Sequence, residues 1–275
     1  MLQKLRALLV DLRLYRWLIV TQIQVQWQYK FNLFLDIMTY FLVTGLEIAG
    51  ILLLFIPFPT VLGWKIGEVA LLAATISITF GLAEMIGAGI DNFSEMIRRG
   101  EFDRILLRPA GAFTQVVGSE FRLRRLGRLS QGCITFVIAL WLLPDLHWTP
   151  MKILLLPMGM VSGAVIFMSI LLLGATVCFW TVETTELTNI LTYGGREMLS
   201  YPLTIYHQML QRLFLFVVPL AFGSYVPICY ILGRPLPFGL PAELAFGAPV
   251  AALLFALVAG QIWRLGMRSY QSTGS

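Results

Sequence analysis

The sequence contains several long apolar runs, and these restrict the fold more than any other feature does. The hydrocarbon core of a bilayer is about 30 Å thick, and a helix needs about 20 apolar residues to cross it. Four runs reach that length, a fifth reaches it with prolines inside, and one run is shorter. The six predicted spans are residues 35–56, 68–90, 129–143, 153–180, 209–231 and 244–263.

Composition supports a membrane protein rather than a water-soluble one. Of the 275 residues, 58% are hydrophobic and 13% are charged, whereas soluble domains have about 45–50% apolar and about 25% charged residues. The apolar runs are continuous and do not alternate with a period of two, so helices are favoured over a transmembrane barrel. The sequence therefore predicts an all-α integral membrane protein, with residues 1–275 forming a single domain.

The distribution of basic residues orients the predicted spans. Lys65, Lys152 and Arg234 fall on one side of the membrane, and the rest of the 20 Lys and Arg residues belong to the other side. Because basic residues concentrate in cytoplasmic loops, both termini are expected to be cytoplasmic, in a multi-pass protein of the cell (plasma or inner) membrane. The short run 129–143 is needed as a span for this asymmetry to hold. The same loops explain the net charge of +5, which therefore gives no indication of nucleic acid binding.

The N-terminal segment has the pattern of an amphipathic helix. Leu5, Leu8, Leu9 and Leu12 recur at helical spacing, and the neighbouring arginines lie away from that stripe. This pattern predicts a helix that lies in the cytoplasmic interface of the membrane. A simple anchor and a mechanical role both fit it.

The stretch between the second and third spans contains a charged turn followed by a short amphipathic helix. Phe102, Ile105 and Leu106 share one face of this helix, whereas Asp103 and Arg104 lie towards another. A helix of this kind on the cytoplasmic face is suited to docking a soluble partner. A positively charged loop that only sets orientation has the same composition. The candidate docking residues are Arg98, Arg99, Gly100, Glu101, Phe102, Asp103 and Leu106.

The same stretch resembles a known family. The run GEFD at 100–103, followed by LLRP at 106–109, is similar to the permease subunits of type-2 ABC exporters, in the group with six spans. Further similarities are YPLTIY at 201–206 ahead of the fifth span, Pro219 within it, and YVP at 225–227 near its outer end. The resemblance covers nearly the whole chain, in order.

The resemblance implies partners and a mechanism. Such permeases pair as two six-span subunits, identical or related, and bind two cytoplasmic ABC ATPase subunits. Closure of the ATPase pair around ATP and Mg²⁺ is transmitted through the coupling helix between spans two and three, here residues 98–107. Residues 233–243 would form short helices that re-enter the outer leaflet, and the direction of transport would be export. The chain has no G-x-x-x-x-G-K-[ST] phosphate-binding loop, so the nucleotide is expected on a separate chain.

Two carboxylates fall within predicted spans. Glu47 lies near the middle of the first span, and Glu84 lies towards the inner end of the second. An ionised carboxylate at that depth costs at least about 2.5–3.5 kcal/mol, so each should face a cavity or a partner, or be protonated. Both a polar translocation surface and a contact between helices fit this pattern. Asp36 and Asp91, near the inner boundary, are expected to meet loop arginines.

Prolines interrupt the fifth span. Pro219 and Pro227 lack a backbone donor and predict kinks in its helix. In a transporter such a kink can serve as a hinge, and kinks also occur in static bundles.

Other chemistry has little support in the sequence. His147 and His207 are far apart, and no cluster of His or Cys has the spacing of metal ligands. No catalytic, cofactor-binding or metal-binding residues are therefore expected on this chain. The alternatives to a permease are an intramembrane enzyme, a membrane assembly factor and a passive channel. An enzyme would need convergent catalytic groups at one depth, and a channel would favour a polar stripe along several spans.

Overall fold

The computed structural model describes residues 2–181 and 186–271, most of them in helices. A short antiparallel hairpin is the only sheet among these residues, and its strands are β1 (Thr60–Val61) and β2 (Trp64–Lys65). The α-helices are α1 (Leu2–Gln28), α2 (Lys30–Leu53), α3 (Ile66–Ile86), α4 (Ala88–Asp91), α5 (Phe93–Arg98), α6 (Glu101–Leu106), α7 (Ala112–Gly118), α8 (Leu126–Trp141), α9 (Pro150–Thr181), α10 (Glu186–Asn189), α11 (Gly195–Leu199), α12 (Gln208–Arg212), α13 (Tyr225–Leu232) and α14 (Ala248–Ser269).

Four of the described helices are long and apolar enough to cross a membrane. They overlap the first, second, fourth and sixth predicted spans, and they fit an all-α membrane protein. The last of them begins with a 3-10 turn and continues as α14. The four are Lys30–Leu53, Ile66–Ile86, Pro150–Thr181 and Ala242–Ser269.

Helix α3 is mostly buried and packs between α8 and α9. Near one end of α3, Glu84 contacts Arg125, just before α8, at 2.7 Å. At the other end, a Cβ placed on Gly67 would lie 2.9 Å from Cβ of Leu142, just after α8. Helix α8 therefore runs antiparallel to α3 along nearly its whole length. With 16 residues, α8 is only about 24 Å long at 1.5 Å per residue.

The fifth predicted span is a series of short pieces instead of one helix. After α12 come a π-helical turn (Leu213–Val217), a break at Val218, and a 3-10 turn (Leu220–Gly223) that precedes α13. Val218 has φ −117° and ψ 87°, because the ring of Pro219 disfavours the helical region for the residue before it. Pro227 lies in the first turn of α13, where a backbone N–H has no acceptor within the helix.

Two glycines of α9 bring this broken segment close to the fourth span. A Cβ on Gly163 would lie 2.5 Å from Cα of Gly223, and a Cβ on Gly159 would lie 2.7 Å from Cγ of Pro227. Larger side chains would collide at both positions. The small-residue pattern of α9 therefore allows close backbone contact, as G-x-x-x-G patterns do in membrane helices.

A salt bridge stabilises the end of the bundle that carries β1 and β2, which we call the hairpin end. Arg234 follows α13 and donates hydrogen bonds to both carboxylate oxygens of Glu68, at 3.0 and 2.7 Å. Its guanidinium also lies 5.3 Å from the ring centroid of Trp64. The stretch predicted to re-enter the membrane follows, with 3-10 turns at Pro237–Gly239 and Ala242–Gly247.

At the opposite end of the bundle, which we call the terminal end, helix α1 packs against the loop between α3 and α8. Gln22 donates a hydrogen bond of 2.7 Å to the carbonyl of Ser119, and the side-chain oxygen of Gln26 accepts one of 3.0 Å from the N–H of Leu123. These contacts attach the N-terminal helix to the loop that contains α5, α6 and α7.

The predicted apolar stripe of α1 depends largely on Leu5, Leu8 and Leu9, whose side chains lie outside the described residues. Farther along the helix, Leu12 and Trp17 are exposed. Only Tyr29 separates α1 from α2.

Candidate functional site

The candidate docking helix is α6, and α5 leads into it through a tight turn. Gly100 has φ 64°, a left-handed conformation that glycine adopts without strain. Its N–H donates a hydrogen bond of 3.0 Å to the carbonyl of Ile97. The GEFD run thus begins with the residue type that the turn favours.

An aromatic cluster fixes α6 to the bundle. Phe102 is fully buried, and its ring centroid lies 5.0 Å from that of Phe93, 5.7 Å from that of Phe179 and 6.5 Å from that of Trp263. Phe179 belongs to α9, and Trp263 belongs to α14. Phe102 therefore joins the candidate docking helix to the C-terminal parts of α9 and α14.

A hydrogen bond joins α6 to the C-terminal end of the described chain. The hydroxyl of Tyr270 donates to Oδ1 of Asp103 at 2.9 Å, and the ring of Tyr270 stacks edge-on with Phe102 at 5.1 Å. Burial and the hydrogen bond to the carboxylate raise the pKa of Tyr270 to about 12. The phenol is therefore neutral, and able to donate, at physiological pH.

The opposite side of α6 is exposed. Leu106 is 48% exposed and Leu107 is 86% exposed, and the basic residues Arg104 and Arg108 are exposed beside them. We call these four residues the exposed docking face. An apolar pair flanked by arginines is a composition found in protein interfaces, in which apolar anchors and Arg are enriched relative to other surfaces.

Two further arginines of the loop bind an acidic neighbour. Arg98 and Arg99 contact the carboxylate of Glu95 in α5 at 2.5 and 2.7 Å. Hydrogen bonds from Arg99 and Arg98 hold the pKa of Glu95 below its usual value. Both arginine side chains stay more than half exposed, so they add positive charge next to the docking face.

The structure thus separates the predicted docking residues into two groups. Gly100, Phe102 and Asp103 form the turn and the contacts that hold α6 in place. Leu106, Arg98 and Arg99 are exposed, and Glu101 is half-buried.

A second feature is a cluster of charged residues, most of them buried, around the C-terminal part of α3. We define the buried charge cluster as Glu47, Glu84, Arg125, Arg128 and Arg196. Glu84 contacts Arg125 at 2.7 Å and Arg128 at 3.5 Å, with all three side chains at most 6% exposed. The hydroxyl of Tyr193 also donates a hydrogen bond of 3.1 Å to Glu84.

The rest of the cluster links α2 to α11. Arg196 in α11 contacts Glu47 in α2 at 2.5 Å and the neighbouring Glu197 at 2.7 Å. Glu47 is one-third exposed, whereas the side chain of Arg196 is buried. Arg128 lies close enough to interact electrostatically with Glu47 and Arg196 as well as with Glu84. The two carboxylates predicted from the sequence therefore belong to one cluster.

Aromatic rings cover the arginines of this cluster. The guanidinium of Arg125 lies 4.5 Å from the ring centroid of Tyr40, and that of Arg128 lies 5.2 Å from that of Phe80. Attraction to a ring face partly replaces the water that each cation loses on burial. Several guanidinium nitrogens, including Nε of Arg125, Arg128 and Arg196, have no hydrogen-bond acceptor among the described residues. Burying these charges is therefore costly despite the ion pairs.

From the sequence, Arg125, Arg128 and Arg196 are predicted to be loop charges, with no link to Glu47 and Glu84. A signal for the connection was available. A carboxylate within a span needs a compensating partner, and the basic residues nearest in predicted depth are these arginines. At the boundary of the span, Asp91 contacts Arg122 of the loop at 2.8 Å, as the sequence predicts.

The two prolines lie apart from both features. Pro219 precedes the 3-10 turn of the fifth segment, and Pro227 contacts α9 at Gly159. Within the described residues, no group of His, Cys, Asp or Glu is arranged to hold a metal ion.

Comparison with known proteins assigns the sequence to a family. A family model described as "ABC-2 family transporter protein" matches residues 41–274. The match includes α6 and the whole buried charge cluster. It also covers all four candidate spans, apart from the part of α2 before residue 41. No curated protein and no solved structure matches the chain.

Proposed function

This chain belongs to the ABC-2 transporter family, and from that membership we propose that it is the permease subunit of an ABC exporter, driven by a separate cytoplasmic ATPase. The single observation that carries the proposal is the family match over residues 41–274. Membership makes the chain a transport component of an ABC transporter and implies association with an ABC ATPase. ATP and Mg²⁺ would bind to that ATPase, and two permease subunits, identical or related, would form the pathway.

The exposed docking face is the surface that we assign to the ATPase. Leu107 is among the most exposed large apolar side chains of the described chain, although isolated exposed leucines are ordinary on protein surfaces. Its position at the end of a short helix, between Arg104 and Arg108, favours insertion into a groove of a soluble partner. Arg98 and Arg99 would lie at the rim of the same contact.

The aromatic cluster supports a role for α6 in transmission. Phe102 contacts Phe179 of α9 and Trp263 of α14, so a displacement of α6 would push on two candidate spans together. Side chains packed at the density of a protein interior leave little room to absorb such a displacement locally.

Contacts with α3 support six crossings. Helix α8 follows α3 from Glu84 to Gly67, and the stretch from Tyr193 to Arg234 covers the same distance in the same direction, because Tyr193 binds Glu84 and Arg234 binds Glu68. Within this stretch, Arg212 of α12 already lies 5.4 Å from the ring centroid of Phe238, which follows Arg234, so the run predicted as the fifth span does not begin at the Glu84 end. Helix α8 and the whole stretch would therefore cross the membrane with α3, although α8 is short.

Contacts at the terminal end support placing both termini on one side. Helix α1 and Tyr270 each contact the loop that contains α6. With that loop in the cytoplasm, as the excess of basic residues favours, both termini are cytoplasmic and the membrane is the cell membrane.

We assign the buried charge cluster to joining helices and not to contacting cargo. Glu84 is enclosed by Arg125 and Arg128 at the start of α8 and by Tyr193 from a distant part of the chain. Only Glu47, on its one-third exposed side, is placed to contact a second subunit or a transported molecule.

The docking face can be tested with one substitution and a matched control. The tagged chain is co-expressed with the ABC ATPase encoded beside its gene, as wild type, as Leu107→Asp and as Leu62→Asp. Leu62 is also well exposed, but it lies in the hairpin turn at the other end of the bundle. A charge introduced into an apolar anchor should lower ATPase recovery about tenfold or more, so we expect the loss with Leu107→Asp alone.

Two results would contradict this assignment. If the wild-type chain recovers no ATPase while it is well folded in detergent, the proposed partner is wrong. If Leu107→Asp and Leu62→Asp recover the ATPase equally well, the partner binds elsewhere and α6 is not its docking helix.

A further inference from the structure

A cavity of about 680 Å³ lies between α1, α7, α9 and α14, next to the loop that contains α6. This volume is within the range of small-molecule sites, about 300–1,000 Å³. Much of the lining is apolar and comes from two candidate spans, with Val165, Met168 and Leu172 on α9 and Ala256 and Leu257 on α14. Leu257 is about half exposed, so the cavity borders the surface of α14 that faces outward from the bundle.

Polar groups gather in the part of the cavity nearest the terminal end. Asp11 of α1 and Arg264 of α14 both line it, together with Gln261. Oδ1 of Asp11 accepts a hydrogen bond of 3.2 Å from the N–H of Gly111. Arg264 is exposed and makes no ion pair with any residue that the structure describes. The cavity therefore contains one carboxylate and one uncompensated guanidinium.

A buried donor without an acceptor points to a ligand. Trp263 lines the cavity and is 3% exposed, and its indole N–H has no acceptor among the described residues. An indole nitrogen can only donate, and an unsatisfied buried donor is costly. An acceptor oxygen on a bound molecule would remove that cost.

We propose that this cavity binds one zwitterionic aminophospholipid of the surrounding bilayer. The phosphate accepts from Arg264 and the indole N–H of Trp263, the ammonium group lies near Asp11, and one acyl chain lies along Val165 and Leu257. Basic pockets between membrane helices near the cytoplasmic surface are suited to lipid headgroups. Asp11 discriminates against a purely anionic headgroup, because like charges repel across a partly desolvated site.

This site is independent of the ATPase docking proposed above. It requires only that α9 and α14 lie in a bilayer, and the bound lipid is not the transported substrate. The lipid would fill the space between the N-terminal helix and α14, next to Trp263.

Native mass spectrometry of the purified chain can test the site directly. The protein is delipidated in mild detergent and incubated with an equimolar mixture of phosphatidylethanolamine, phosphatidylcholine and phosphatidylglycerol with matched acyl chains. We expect one phosphatidylethanolamine to be retained per chain. Inorganic phosphate at millimolar concentration should not displace it, because the acyl chain contributes to binding.

Three variants distinguish this site from general lipid adhesion. Gly260 lines the cavity, and a Cβ there meets no atom within 4 Å, so Gly260→Leu should fill the space and abolish retention. Trp263→Phe keeps an aromatic ring at this position but removes the indole N–H, and it should weaken binding about tenfold. Asp11→Asn should shift the preference from phosphatidylethanolamine towards phosphatidylglycerol. Gly50→Leu is the matched control, since Gly50 in α2 also has open space and lies outside the cavity.

The proposal is overturned if the three lipids are retained equally, or if Gly260→Leu and Gly50→Leu retain the same amount. It is also overturned if no lipid is retained, and in that case Gly260→Leu is checked for conversion of a dimer into a monomer. Such a conversion would assign the cavity to a second copy of the chain.

Discussion

The hydroxyl of Tyr270 donates a hydrogen bond of 2.9 Å to Asp103, across 167 positions of the sequence. The bond joins the end of the last candidate span to the helix that we assign to the ATPase. Because Asp103 is one of the predicted docking residues, it was expected to face a partner. In the structure it holds α6 against the bundle.

Tyr270→Phe should separate docking from transmission. The substitution keeps the ring that packs on Phe102 and removes the donor, at a cost of about 1 kcal/mol in the free energy of unfolding. We expect ATPase to co-purify as with wild type, and substrate-stimulated ATP hydrolysis in vesicles to fall severalfold. Tyr29→Phe, at an exposed tyrosine between α1 and α2, serves as the control. Equal stimulation in wild type, Tyr270→Phe and Tyr29→Phe would show that the bond plays no part in coupling.

The same bond predicts a dependence of stability on pH. The pKa of Tyr270 is raised from 10.0 to about 12 in the folded chain. The contribution of this group to stability is therefore complete below pH 10 and is lost as the pH rises towards 12. The difference in thermal midpoint between wild type and Tyr270→Phe should be constant from pH 7 to 9 and should shrink above pH 10. A difference that stays constant up to pH 11.5 would contradict the assignment.

Removing Glu84 should destabilise the bundle strongly. Glu84→Ala leaves Arg125 and Arg128 buried without their carboxylate, and breaking a buried ion pair costs about 3–5 kcal/mol. Thermal unfolding in detergent should show a large loss of stability, or the chain should fail to accumulate. Glu95→Ala breaks ion pairs that are exposed on α5 and should leave the thermal midpoint unchanged. Equal thermal midpoints for the two variants would mean that the buried pair is not formed.

Replacing glycine by alanine should lower the stability of the protein at one helix position and raise it at another. Gly163→Ala places a methyl group 2.5 Å from Cα of Gly223, and overpacking of this kind costs about 1–3 kcal/mol. Gly50→Ala meets no atom within 4 Å, and replacing a helical glycine by alanine there should stabilise by about 0.5–1 kcal/mol. Thermal midpoints of the two variants should therefore move in opposite directions from wild type. A shift in the same direction would argue against close contact between α9 and the fifth segment.

Much of the helical framework could be predicted from the sequence, because long apolar runs have few alternatives in a membrane. The runs at 35–56 and 153–180 overlap helices that are long enough to cross. The break in the fifth segment was predicted only as kinks. Its position at Val218 follows from the local effect of Pro219, but the close contact with Gly163 depends on a distant helix.

The partners of the charged residues could not be predicted in the same way. Arg196 and Glu47 are 149 positions apart, and basic residues near a membrane boundary satisfy the rule for orientation whether they are buried or exposed. The amphipathic pattern of α6 likewise identified Phe102 without showing that its apolar face packs inward. Burial depends on which helices meet, and periodicity within one helix does not contain that information.

With α8 crossing the membrane as proposed above, its shortness would also affect the lipid around the protein. A crossing helix of about 24 Å is several ångströms shorter than a hydrocarbon layer of about 30 Å, while the 32 residues of α9 extend to about 48 Å. Side chains on one face of α8, such as Ile134 and Val137, are exposed and would meet acyl chains directly. A bilayer adjusts to a short hydrophobic segment by thinning, at a modest cost per ångström. The membrane beside α8 would therefore be compressed, and the protein would be sensitive to acyl-chain length on that flank.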